Sequence, residues 1–368
     1  MKLVCSQADL ERAVTIVSKA ITPNTTLPVL NNILLKAEDK KLHFSATNLE
    51  VAIQYFIPAD VKSEGSITVP AKLLSSYVNL LKDEKLEIEL KDGDTVEITS
   101  PSSNTKMKGI NANEFPVIPK VEKENTFKVP TKELETAISQ TVFAASSNTS
   151  RPVLSGVLFD VKKDKVKVVA TDSYRLAEKT ITLKEATDVE IECIVPAKTV
   201  MELGKILSRE TGENVELSVS KNQILFVAGD VKLMSRLIEG KFPPYEKVVP
   251  KETKTKVEVL DEALANVVRR VSLFARENNN SIKIAATNDG KLTVSTDETR
   301  VGEEKAELDI SMSGENNKIA LNAQYLLDVL NYIQSDKIQM EIEDKLSPAV
   351  VRPVKEKDYV YIIMPLKV

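Results

Sequence analysis

Carboxylates are the most crowded reactive groups in this chain: Glu87, Glu89, Asp92, Asp94 and Glu97 lie close together in sequence. Acids at that spacing could hold magnesium for phosphoryl chemistry, as nucleases and polymerases do. The same residues alternate with apolar ones in Leu86-Glu87-Ile88-Glu89-Leu90 and Val96-Glu97-Ile98, about the turn Asp92-Gly93-Asp94. That period of two describes the solvated face of a hairpin, and no metal site is expected from it. A nucleophilic site would have to use His43, the one histidine, which has no supporting residues around it in sequence. Cys5 and Cys193 are the two cysteines, read as buried small hydrophobes in a reducing compartment. With one histidine they cannot assemble the usual zinc constellations. None of the 11 glycines falls in a G-x-G-x-x-G or G-x-x-x-x-G-K-S/T loop, so neither common phosphate cradle is present. No catalytic residue and no cofactor are expected.

Positive charge is distributed more tellingly. The whole chain has 50 Lys and Arg against 54 Asp and Glu, a net charge of −4. Six helical windows (9–20, 72–82, 132–143, 198–209, 261–276 and 324–334) hold 11 basic and 8 acidic residues, so they carry +3 and the remainder −7. Several of those acids, Asp9, Glu133, Asp261 and Glu262 among them, stand near helix starts, where the dipole favours them. The helix bodies are then basic, through Arg12, Lys19, Lys72, Lys82, Lys198, Lys205, Arg209, Arg269 and Arg270. Two readings stay open: ordinary solvated faces, or faces turned toward a phosphate backbone, where sequence-independent contact needs only positive charge. A net negative chain does not hold DNA by broad attraction, but a closed ring holds it by topology.

The elements that carry these residues recur. Val69-Pro70-Ala71-Lys72-Leu73-Leu74 returns as Val195-Pro196-Ala197-Lys198-Thr199-Val200 and as Leu321-Asn322-Ala323-Gln324-Tyr325-Leu326, with alanines at 71, 197 and 323, 126 apart. Leu27-Pro28-Val29-Leu30 returns as Arg151-Pro152-Val153-Leu154. The strands that follow end in Ala46-Thr47-Asn48, Ala170-Thr171-Asp172 and Ser295-Thr296-Asp297, at threonine intervals of 124 and 125. Each unit opens on an apolar helix: Leu10-Glu11-Arg12-Ala13-Val14, Leu134-Glu135-Thr136-Ala137-Ile138 and Leu264-Ala265-Asn266-Val267-Val268. A period this long fits whole domains in tandem.

Helical spacing alternates with period-two segments such as Val215–Val219 and Ile338–Ile342. Each copy should therefore have two helices on antiparallel sheet, an α+β layout. Phe115-Pro116-Val117-Ile118-Pro119 and Phe242-Pro243-Pro244-Tyr245 through Pro250 are read as short, stiff joints. The copies are expected at residues 1–125, 126–249 and 250–368. Neither an export signal nor an apolar run near the roughly 20 residues that span a bilayer is visible. No membrane role is expected, and the compartment is read as cytoplasmic.

The tripled Val-Pro-Ala-Lys helix, Ala170 through Ala177, Arg236 through Tyr245 and the ending Ile363-Met364-Pro365-Leu366 together resemble the bacterial sliding clamps, the β subunits of DNA polymerase III. The resemblance covers the whole chain. It implies a non-catalytic processivity factor: a head-to-tail homodimer of six similar domains whose helices line a hole around double-stranded DNA. It further implies a groove between the second and third copies that takes short linear peptides of the replicative polymerase, the clamp loader and repair proteins. Positions matching that groove are Leu154, Thr171, Tyr174, Arg175, Leu176, Pro243, Lys247, Val248, Asn322, Tyr325, Leu346, Pro348, Ile362, Met364, Pro365 and Leu366. Leu154 and Ile362 also fit a plain core role. Leu273 and Phe274 would meet the partner near Met107, or else belong to the third copy's interior. Tyr174 stands where histidine is common in the family, Asn24 where some members have arginine, and Leu366-Lys367-Val368 where arginine is common at the penultimate place. An acidic-cluster, metal-dependent nuclease and a protein-only scaffold are the competing readings.

Overall fold

The computed structural model describes residues 1–22, 27–82, 84–119, 121, 124–148, 150–188, 190–209, 212–250, 252–333 and 335–367. Asn24 and Val368 lie outside the described residues. Six α-helices occur among the described residues: α1 Gln7–Val17, α2 Ala71–Val78, α3 Thr131–Thr141, α4 Ala197–Leu207, α5 Asp261–Ala275 and α6 Ala323–Leu330. They fall two to a copy, as the repeat requires. Ser6 starts α1, its hydroxyl accepting from the Asp9 amide at 3.4 Å, and the helix buries Leu10, Ala13, Val14, Ile16 and Val17 on one side. In α6 the third copy replaces the preceding proline with Asn322, whose side chain accepts from the Gln324 and Tyr325 amides. That is a true cap where the other two copies have none to offer.

Helix ends differ from the apolar spacing. α2 stops at Val78, and the Asn79 and Leu80 amides close the last turn onto Ser75 and Tyr77 carbonyls, leaving Leu80 80% exposed. Lys82 and Arg209 therefore lie beyond helix ends, and Lys19 sits in a single 3-10 turn, Ser18–Ala20. Apolar periodicity marks which face is buried but not where the amide bonding changes.

Strands of neighbouring copies share sheets. In an eight-stranded sheet, Gly65–Pro70, Asn32–Glu38, Lys41–Thr47 and Val51–Pro58 of the first copy continue into Val231–Arg236, Gln223–Ala228, Asn214–Val219 and Asn125–Pro130 of the second. A nine-stranded sheet repeats the arrangement one copy on, Arg175–Thr182 pairing antiparallel with Tyr359–Ile363. Two sheets remain: a five-stranded one ending in Asn104–Lys108 and a four-stranded one ending in Lys305–Asp309. This sharing explains why the compact units are Met1–Lys132 with Glu202–Leu237, and Glu133–Met201 with Ile238–Val368, and do not follow the repeat.

Both joints pack on these sheets. Ile118 and Val121 cover Ala52, Leu225 and Met234 in the first unit. In the second, Phe242, Tyr245 and Val249 join Leu158, Val169, Leu176, Ile194 and Ile362. Burying each large apolar side chain contributes about 1.5–3 kcal/mol, so the joints are held by packing as well as by proline.

Candidate peptide groove and nucleic-acid interface

The groove is built on one turn. Thr171 Oγ1 donates to the Arg175 carbonyl at 2.7 Å, and Asp172 Oδ1 accepts from the Tyr174 and Arg175 amides at 2.9 and 3.0 Å. Ser173 takes a left-handed φ of 80°, tolerable for a short polar residue. The turn leaves Tyr174 63% exposed and sends Arg175 inward. There the guanidinium pairs with Asp172 Oδ2 at 3.1 Å and with Asp328, and donates to the Phe143 carbonyl at 3.0 Å. It also lies 4.6 Å from the Tyr325 ring centroid. Burial first of all raises the Tyr325 hydroxyl above its usual pKa, so the ring stays neutral beside the guanidinium at physiological pH. A cavity of about 530 Å³ opens here, lined by Leu154, Tyr174, Arg175, Tyr325, Phe143 and Arg151 among others.

Of the other expected groove residues, Leu176 and Ile362 are 4% and 1% exposed and belong to the apolar core beneath the joint. Strand pairing sets them opposite each other and turns both inward. Met364 and Leu366 are tied down, their amides donating to the Tyr174 and Ala320 carbonyls at 2.8 Å, with Pro365 half-buried between them. Pro243, Lys247 and Val248 stand exposed on the joint, Leu346 is 68% exposed and Pro348 half-buried. None of these five lines the cavity at Arg175. The sequence missed Phe143, Arg151, Asp172, Asp328 and the cavity residues Ser146, Ser147, Asn148 and Ser150. The one signal for the acids was that a half-buried arginine needs counter-charge.

The basic residues on the helices are mostly open. Arg12, Lys72, Lys82, Lys198, Lys205, Arg209, Arg269 and Arg270 are exposed. Arg12 lies over Tyr55, 5.9 Å from the ring centroid. Lys19 is half-buried and 3.6 Å from Glu202, which also bonds Lys205 at 2.7 Å. Burial, more than any charge, lowers the Lys19 pKa. Arg269 donates to Asn266 and Asn331, and Arg270 lies 3.5 Å from Glu304. Arg12, Lys72, Lys198, Lys205, Arg269 and Arg270 extend from helices whose apolar side is buried, while Lys19, Lys82 and Arg209 lie just past helix ends.

Leu273 is 54% exposed and Phe274 half-buried, so both reach the surface of the third copy. Met107 does not: at 3% exposure it lies inside its own sheet, opposite Val96, because the strand alternation points it to the core. Its neighbours Lys106 and Lys108 point the other way.

The three glutamates of the hairpin pair with lysines. Lys2 reaches Glu87 and Glu89 at 2.8 and 3.1 Å, Lys91 reaches Glu89 and Glu97, and Lys106 reaches Glu97. Among the described residues no group of three or more His, Cys, Asp or Glu is placed to hold a metal ion. Among the same residues no helix is long and apolar enough to cross a membrane.

Three copies of one helix-pair unit, with sheets shared between successive copies and basic helix surfaces, define a protein of the DNA-clamp class. Family models for the N-terminal, central and C-terminal domains of the DNA polymerase III β subunit match residues 1–119, 128–244 and 246–367. The β sliding clamp of Halalkalibacterium halodurans is 32% identical over 364 residues, 95% of each chain. That of Synechocystis is 31% identical over 390 residues, covering 100% of this chain and 99% of the relative. The sliding clamp structure from Bacillus subtilis superposes with a TM-score of 0.95 at 29% identity, covering 100% of this chain and 99% of that one. A Pseudomonas aeruginosa clamp bound to griselimycin gives 0.95 at 27%, with all of both chains covered. The chain belongs to the DNA polymerase III β subunit family, and its function is that of a non-catalytic processivity clamp.

Proposed function

We propose that this chain closes head to tail with a second copy into a ring around double-stranded DNA, and holds partner proteins through the groove at Arg175. The carrying observation is the strand order. At each junction between copies, the last strand of one half-sheet pairs with the last strand of another: Val51–Pro58 with Val231–Arg236, and Arg175–Thr182 with Tyr359–Ile363. Their counterparts in the two remaining sheets, Lys305–Asp309 and Asn104–Lys108, are unpaired edges among the described residues. Joining four strands of one copy to five of another makes a third shared sheet of nine and uses up both edges. Leu273 and Phe274 would then be covered.

Duplex contact is assigned to the nine basic residues Arg12, Lys19, Lys72, Lys82, Lys198, Lys205, Arg209, Arg269 and Arg270. Such contact is weak and sequence-independent, which permits sliding. The sixteen expected groove positions, with Phe143, Arg151, Asp172 and Asp328, would receive short linear peptides of the replicative polymerase, the clamp loader and repair proteins, apolar anchors entering beside Tyr174. Tethering keeps such partners at high effective concentration near DNA. Domain boundaries after residues 125 and 249 follow the joints. The compartment that suits this work is the bacterial cytoplasm, at the nucleoid during replication. Loaded onto nicked circular DNA, the protein should remain bound and be lost once the circle is linearised. Equal retention on circle and line would overturn the ring.

A further inference from the structure

The turn that builds the groove at Arg175 occurs a second time, and we infer that the second turn frames a second peptide-docking groove, in the first compact unit, for an acidic peptide with a bulky apolar anchor. The inference rests on the peptide-groove reading above and extends it to a separate place.

Thr47 through Val51 stands 124 residues before Thr171 through Arg175 and makes the same bonds. Thr47 Oγ1 donates to the Val51 carbonyl at 2.8 Å, and Asn48 Oδ1 accepts from the Glu50 and Val51 amides at 3.0 and 2.8 Å. Leu49 takes a φ of 75°, matching the 80° of Ser173. Downstream partners match too: Val51 and Ala52 pair with Ser235 and Met234 as Arg175 and Leu176 pair with Ile363 and Ile362. The Arg236 amide donates to the Glu50 carbonyl at 2.9 Å, as the Met364 amide does to Tyr174. The Pro116–Pro119 joint forms the remaining wall.

Three differences set the chemistry. Val51 replaces Arg175, so no guanidinium network occupies the site, and a cavity of about 330 Å³ lies among Val51, Ala52, Ile118 and Met234. Two large apolar residues stay in water at its edge: Leu49, 49% exposed in a left-handed conformation costly for a leucine, and Val117, 93% exposed. The bonded pair Tyr174 and Met364 is replaced by Glu50 and Arg236, both of which are exposed. Among the described residues Arg236 makes no ion pair, so its guanidinium is available to a ligand carboxylate. A peptide fitting here therefore places an aliphatic or aromatic anchor against Leu49 and Val117, with an acidic neighbour at Arg236, whereas the groove at Arg175 presents the aromatic Tyr174.

The test titrates the full-length protein with a fluorescein-labelled peptide, Ser-Asp-Leu-Leu-Phe-Gly, and reads stoichiometry and affinity by polarisation and calorimetry. Two sites per chain are expected. Arg236→Glu with Val117→Glu, both at exposed positions, should remove one, and Tyr174→Arg should remove the other. Arg236→Glu alone should weaken its site about tenfold for the Asp peptide and less for an Asn version. One site per chain, lost on Tyr174→Arg and indifferent to Arg236→Glu, would overturn the second groove and leave the first standing. One site lost on Arg236→Glu and indifferent to Tyr174→Arg would overturn the first reading and keep this one. No binding at all would overturn both.

Discussion

The Arg175 guanidinium lies 4.6 Å from the Tyr325 ring centroid and pairs with Asp328 on the same helix, α6, so one side chain of the second copy is held by two of the third. Asp172, the Phe143 carbonyl and Tyr361 also surround it, and little of it meets water.

Replacing Arg175 with Ala should strand two carboxylates that are only 14% and 22% exposed. A loss of about 2–4 kcal/mol in urea unfolding is expected, somewhat below a fully buried pair. Arg175→Lys should recover little, because an ammonium cannot span Asp172, Asp328 and the Phe143 carbonyl with one planar fork. Peptide affinity at this groove should fall at least tenfold in either variant; unchanged affinity would remove Arg175 from the groove's working parts.

Lys72 and Lys198 occupy the same position in two copies, at the starts of α2 and α4, and both are exposed. Lys72→Ala with Lys198→Ala should leave the melting temperature unchanged and make the plot of log DNA affinity against log salt shallower, by about 0.9 for each phosphate that is no longer neutralised. An unaltered slope would return these lysines to the class of plain solvated residues.

Leu273 is 54% exposed, so Leu273→Arg should fold normally. In sedimentation it should shift the protein from dimer to monomer, and retention on nicked circles should disappear. A stable dimer with Arg at 273 would place the contact between copies elsewhere.

Cys5 and Cys193 are 5% and 6% exposed, and burial pushes both thiols up to about 12 from the ordinary 9.0. The unfolded chain ionises these thiols at lower pH than the folded one. Stability is therefore full below pH 9 and falls as pH rises from 9 toward 12, at about 1.4 kcal/mol per pH unit for each thiol. Urea midpoints measured at pH 8 and 10 should differ, and Cys5→Ala with Cys193→Ala should reduce the difference. The enclosed Tyr359, raised well above 10, adds to the same alkaline loss. At pH 8 a thiol reagent should label neither cysteine before unfolding.

Three copies, two helices in each, hairpins with acid on the wet face and joints at the prolines all followed from residue type and spacing, because each depends on neighbours within a few turns of chain. Buried positions such as Leu10, Val14 and Leu264 were legible for the same reason. What the tertiary structure alone decided is which edges meet. Period-two alternation assigns a residue to a face but does not say that Ala52 faces Met234 or that Leu176 faces Ile362. Those pairings buried Leu176 and Ile362, put Met107 inside its sheet, brought Asp328 from a distant segment to Arg175 beside the local Asp172, and left open edges on two half-sheets among the described residues. Backbone hydrogen bonding across hundreds of residues is set by packing of whole layers, and local pattern carries no record of it.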